Sequence, residues 1–175
     1  MSRYRRSLVA GGTFLFIVTL ADRRSSLLVE QIDRLRAVYG RVLREHPFET
    51  VAICVLPDQL HAVWTLPTDG ADFSLRWSLI KSGFSRGFEA STQRSASKMT
   101  KREKGIWQRR FWEHQIRDDL DLQLHVDYIH FNPVKHGYAA EVVDWPYSPF
   151  HRDVERGIYP PDWAGGSGDM AGVGE

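Results

Sequence analysis

The chain has 175 residues, 42% of them hydrophobic and 26% charged, with a single cysteine, Cys54. That composition is typical of globular proteins, the length suffices for a core without covalent staples, and one cysteine excludes an intramolecular disulfide. The longest apolar run, around residues 14–20, falls far short of the ~18 residues a membrane span needs, and no signal-peptide core follows the basic start, so a cytoplasmic location and no membrane partner are expected.

The net charge of +1 hides an asymmetry. Ten basic and two acidic residues lie between Arg76 and Arg110, and Arg3, Arg5 and Arg6 add to the N-terminus. Clustered cations point to a polyanionic partner, although a run of charge also serves as a solvated face.

Taken in chain order, residues 14–20 follow Gly11-Gly12, are rich in β-formers and read as a strand. Residues 27–45 carry Leu28, Ile32, Leu35, Val38, Val42 and Leu43 at helical spacing, with Ser25 or Ser26 as cap and Pro47 as stop. Residues 48–56 read as a second strand. Pro57-Asp58 is turn chemistry, and 60–66 follows as a third strand, antiparallel to the second. A helix over 73–89, a mobile basic loop over 91–104 and a strand over 106–116 come next. Asp118-Asp119 caps a third helix over 119–132, which Pro133 is expected to end because the residue before proline avoids the α region. Residues from 144 onward read as an irregular tail, disordered over 166–175. The expected architecture is α+β: a ferredoxin-like antiparallel sheet with helices on one face, plus a C-terminal helix and the tail, with 1–165 as one domain.

Two constellations carry chemistry. Alternation along a strand puts Gln59 and His61 on one face, an amide oxygen beside an imidazole, a pair able to share a divalent ion. A lone strand histidine is also a common structural residue. On the third helix Tyr128 and Asn132 are four apart and share a face, with His125 three before Tyr128. Tyr128 is a candidate nucleophile, whose phenol ionises with the help of a nearby cation. The same spacing suits a core tyrosine with Asn132 as a helix cap. The segment 107–114 mixes aromatics and arginines, a pattern that stacks unpaired bases and holds phosphates, or that forms a two-sided core strand.

Four segments together resemble one family. PDQLHAVW at 57–64 is similar to its PDHLHxIW segment, IWQRRFWEHQIR at 106–117 to its WQRRFWEHxIRD block, DYIHFNPVKHG at 127–137 to its DYIHxNPVKHG signature, and DWPYSPFH at 144–151 to its DWPWSSFHR tail. The family is the REP-associated tyrosine transposases, among the single-tyrosine HUH nucleases. The resemblance implies cleavage and strand transfer on single-stranded DNA at imperfect palindromic hairpins through a 5′-phosphotyrosine, with Mg²⁺ or Mn²⁺. It implies Tyr128 as nucleophile, His61 as the second histidine of the metal pair and Asn132 as a polar third ligand. Gln59 stands where the family pattern has the first histidine. An alternative is therefore a hairpin-binding protein that has lost cleavage, and an RNA-binding module on the same fold is a third reading. Lys135 and His136 are candidate phosphate contacts, and Arg3, Arg5, Arg6, Arg109 and Arg110 candidate hairpin contacts. Both a monomer and a homodimer are consistent with the family.

Overall fold

Strict alternation of side chains along the strands decides which face of the sheet each element covers. The computed structural model describes residues 9–165, so Arg3, Arg5, Arg6 and the tail 166–175 lie outside the described residues. Strands β1 (Thr13–Thr19), β2 (Glu49–Val55), β3 (Gln59–Thr65) and β4 (Trp112–Gln115) form an antiparallel sheet in the order β2-β3-β1-β4. This is the ferredoxin-like arrangement the element order implied.

On one face Phe14, Phe16 and Val18 of β1 join Leu60, Ala62 and Trp64 of β3 in the main core. Helices α2 (Ile32–Glu45) and α3 (Phe73–Ser85) cover it with Leu35, Val42, Phe73, Trp77 and Ile80. Trp64 and Trp77 stack at 4.1 Å between centroids, tilted by 13°. On the other face Leu15, Val63, Ala52 and Cys54 meet Ile129 of α5 (Asp119–Lys135). Cys54 is a buried hydrophobe, and burial raises its thiol well above the usual range.

Several boundaries differ from the sequence reading. The first helix is split into α1 (Leu27–Glu30) and α2 by Gln31, whose backbone leaves the helical region. The Leu28 N–H donates to the Pro57 carbonyl, which ties α1 to the β2–β3 turn rather than to the axis of α2. Helix α3 stops at Ser85, because Arg86 is extended and Gly87 takes a φ of +93°, a conformation that favours glycine. The basic segment contains a short helix, α4 (Ala96–Thr100), capped by the Ser95 hydroxyl. The fourth strand shrinks to four residues. Before it, Trp107 bridges to Leu20 just past β1, the Gln108 N–H donates to the Thr19 carbonyl, and the Phe111 ring packs 5.9 Å from that of Phe16.

Pro133 does not end α5. It lies inside the helix, which runs on to Lys135. Proline removes one N–H, but the last turn is closed by the His136 N–H to Asn132 and the Tyr138 N–H to Pro133 carbonyl bonds, so the loss is confined to one bond. The tail is also more ordered than expected. It carries a 3-10 turn (Val142–Asp144) and α6 (Phe150–Glu155). It also covers the β2 edge: Trp145 Nε1 donates to the Val55 carbonyl at 2.9 Å and Arg152 Nη2 to the Val51 carbonyl at 2.7 Å. Unpaired strand edges invite foreign pairing, and these bonds occupy this one.

Candidate active site

Register places the chemistry-bearing residues of β3 under α5. His61 pairs with Ile17 of β1 and Cys54 of β2, so Gln59 and His61 face α5 while Leu60 enters the main core. Asp121, His125, Tyr128, Ile129 and Asn132 are the buried residues of α5 that recur at three- and four-residue spacing. The His61 and Tyr128 rings meet with centroids 5.5 Å apart.

Both nitrogens of His61 and both polar atoms of the Asn132 amide are buried with no hydrogen-bond partner among the described residues. Buried polar groups are normally paired, so an imidazole and an amide left open beside a buried tyrosine mark a place where a ligand completes the bonding. Burial, followed by the positive charges of His136, Lys135 and Arg23, drives the His61 pKa down to about 3. The ring is neutral at physiological pH and offers a lone pair, as a metal-ligating imidazole must. These donors fit a divalent ion.

Gln59 is placed differently from a free ligand. Its Oε1 accepts from Arg23 Nη2 at 3.2 Å, and its Nε2 lies 3.4 Å from His136 Nε2. Arg23 is held in turn by Asp58, at 2.5 Å from Nε to Oδ2. The Arg23–Asp58 pair is a component of the site that the sequence reading left in a turn. Its signal was the acidic residue immediately before Gln59. Lys135 Nζ sits 5.0 Å from the centroid of the Tyr128 ring, so Lys135 and His136 both border the site.

The basic stretch proves to be mostly internal bracing. Arg76 is buried and donates to the His46, Pro47 and Asp72 carbonyls. Lys81 donates to the Gln108 and Arg109 carbonyls, and Lys104 to those of Ser85 and Phe88. Arg109 pairs with Glu103 at 3.1 Å. It lines a cavity of about 600 Å³ between α3 and residues 102–111, on the sheet face away from Tyr128. Arg110 is exposed.

A second polar group on the α5 face was missed. His114, Asp121 and His125 bring one potential metal-ligand atom each within 4.8 Å of one another. Asp121 Oδ2 accepts from His114 Nε2 and from the Arg117 backbone N–H, both at 2.9 Å. Burial works to raise the Asp121 pKa, but these hydrogen bonds outweigh it and hold the carboxyl at about 2. A depressed carboxyl pKa contributes stability that is present above the unfolded value and is lost as pH falls through the folded one. Asp121→Asn should therefore cost about 1–3 kcal/mol near neutral pH, with the difference from the parent shrinking between pH ~4 and ~2. Urea unfolding across that range measures it.

Comparison with known proteins places the molecule. No family model matches the chain. It is 49% identical to a Haemophilus influenzae protein named as a REP-associated tyrosine transposase, over 94% of each chain. It is 48% identical to the REP-associated tyrosine transposase of Escherichia coli K12, over 98% of this chain and 96% of that one. A solved structure of a REP-associated tyrosine transposase bound to a REP hairpin superposes with a TM-score of 0.84 at 48% identity, covering 100% of this chain and 98% of the other. Fold and similarity together define the class as the tyrosine transposases. Within that class, the chain belongs to the REP-associated tyrosine transposase family. Among the described residues no helix is long and apolar enough to cross a membrane.

Proposed function

We propose that this chain is a hairpin-specific, single-stranded DNA endonuclease and strand transferase, with Tyr128 as nucleophile. The observation that carries the reading is the open His61 imidazole packed against the Tyr128 ring in a buried site. The similar structure was solved with a REP hairpin, and an imperfectly palindromic DNA hairpin is the substrate proposed here. Residues 1–165 act as one catalytic unit in this reading.

The Tyr128 oxygen attacks the scissile phosphorus in line. The new bond joins the phenol oxygen to phosphorus, and the bond from phosphorus to the 3′ oxygen breaks. The phenol proton passes to solvent, and the departing 3′ oxygen takes one up. The product is a 5′-phosphotyrosine that keeps the energy of the phosphodiester, so a 3′-hydroxyl from another strand end reverses the step without a nucleotide. Lys135 places positive charge beside the Tyr128 ring and favours the negative charge that attack requires. Lys135 and His136 also hold phosphate, and Arg109, Arg110 and the N-terminal Arg3, Arg5 and Arg6 contact the hairpin in this scheme. Held by His61, Asn132 and Gln59, Mg²⁺ or Mn²⁺ would supply Lewis-acid polarisation of a phosphate oxygen.

One observation favours a second reading. Gln59 Oε1 already accepts from Arg23, and an amide engaged there is a poor ligand. The chain would then bind hairpins without cutting them. Incubation with a REP hairpin and Mn²⁺, scored for protein-linked DNA on a denaturing gel, separates the two. An adduct supports strand transfer. Tight hairpin binding with no adduct supports the binding protein.

A further inference from the structure

Trp112 is the one exposed tryptophan of the six, 42% accessible at the edge strand β4. Its setting is unusual for a surface aromatic. Ile17 pairs with His61 on one side and with Trp112 on the other. Residues paired directly across an antiparallel sheet share a face, so His61, Ile17 and Trp112 form one row beneath the α5 side. Two strand spacings put Trp112 about 10 Å from His61 along that row.

The indole is also held in a fixed orientation. It lies within 9° of parallel to the His114 ring, with centroids 6.0 Å apart. His114 lies within 18° of His125, with centroids 4.5 Å apart. His125 Nδ1 donates to the Asp121 carbonyl at 2.7 Å, and the Asp121 carboxylate fixes His114. The three residues of the His114, Asp121 and His125 group thus brace a ladder of rings. Imidazoles stacked in parallel cannot aim their in-plane lone pairs at one point, so this arrangement braces a surface rather than chelating an ion. The exposed end of the ladder is Trp112, and Arg110, two residues before it in the chain, is exposed as well.

We propose that Trp112 is a stacking platform for an unpaired nucleobase of the single strand that leads to the Tyr128 site. The proposal rests on the strand's lying along the His61 row, as the strand-transfer reading has it. A braced, solvent-facing aromatic with an exposed arginine two residues before it has the chemistry of single-strand recognition: a base stacks on the ring while a cation holds a neighbouring phosphate. The braced ladder removes the ordering cost that a free tryptophan would bring to binding.

The test uses Tyr128→Phe as the parent chain, so that nothing is cut during the measurement. Two probes are compared by fluorescence anisotropy: a blunt REP hairpin, and the same hairpin with a short single-stranded dA arm carrying one 2-aminopurine. The parent should bind the armed hairpin more tightly and quench the 2-aminopurine. Trp112→Ala should weaken armed-hairpin binding about tenfold, with blunt-hairpin binding unchanged. Trp112→Phe should retain most of the affinity. An absence of quenching in the parent, no preference for the arm, or equal losses on both probes would overturn the proposal. Arm-dependent binding through Trp112 in a chain whose natural form never yields an adduct keeps the platform and sinks the strand-transfer reading.

Discussion

Tyr128→Phe should abolish protein-linked DNA completely while leaving hairpin affinity within about twofold of the parent. The substitution removes one oxygen and keeps a ring that is fully buried against His61. Removing a nucleophile that forms the covalent bond leaves no alternative route to the adduct. Binding depends instead on cations and groove contacts away from the phenol. The measurement pairs a denaturing gel with a native binding titration. An adduct that persists in the phenylalanine variant would assign the nucleophile elsewhere. A loss of binding as large as the loss of adduct would make Tyr128 a packing residue.

Gln59→His should tighten Mn²⁺ binding at least about tenfold, the scale on which even residues outside the ligand shell alter metal affinity. An imidazole at this position presents a nitrogen donor beside His61 and gives up the amide's bond to Arg23. Isothermal titration with Mn²⁺ in the absence of DNA reads this directly, independent of cleavage. A rise in adduct yield together with tighter Mn²⁺ binding would make residue 59 the point at which activity is limited. Unchanged affinity would remove residue 59 from the ligand set and leave His61 with Asn132.

The two experiments divide the site between its protein nucleophile and its proposed ion. The orphaned polar atoms of His61 and Asn132 belong to the second half, and their burial is what makes the ion a structural expectation as well as a chemical one. Burial without a partner is costly for an imidazole and an amide, which a fold tolerates at a site that something else completes.

The apolar run from Phe14 to Leu20 was legible as a buried strand, and strand geometry put Gln59 and His61 on one face with Leu60 on the other, but both strands are buried on both faces, so which helices cover each face was settled only by the packing. The four family-like segments were enough to point to Tyr128, His61 and Asn132. Local signals failed where a distant contact overruled them. Pro133 sits within a helix because its neighbours' N–H groups find carbonyls one turn back. The 106–116 segment reads as a long strand, yet it pairs over only four residues, with Lys81 and Lys98 taking up carbonyls at its start. The cations between Arg76 and Arg110 look like a surface for DNA in one dimension, whereas in space several of them satisfy backbone carbonyls.

What the sequence determined by itself was the ferredoxin-like order and the family, since these follow from element patterning and from long ungapped motifs; the family resemblance also nominated Tyr128 and His61 as site candidates. The tertiary structure alone decided that Arg23, held by Asp58, occupies the Gln59 oxygen, that the basic stretch braces the fold, and that Trp112 stands in register with His61 across Ile17. Each of these joins side chains from separate elements, and strand register and side-chain burial exist only once the chain has closed on itself.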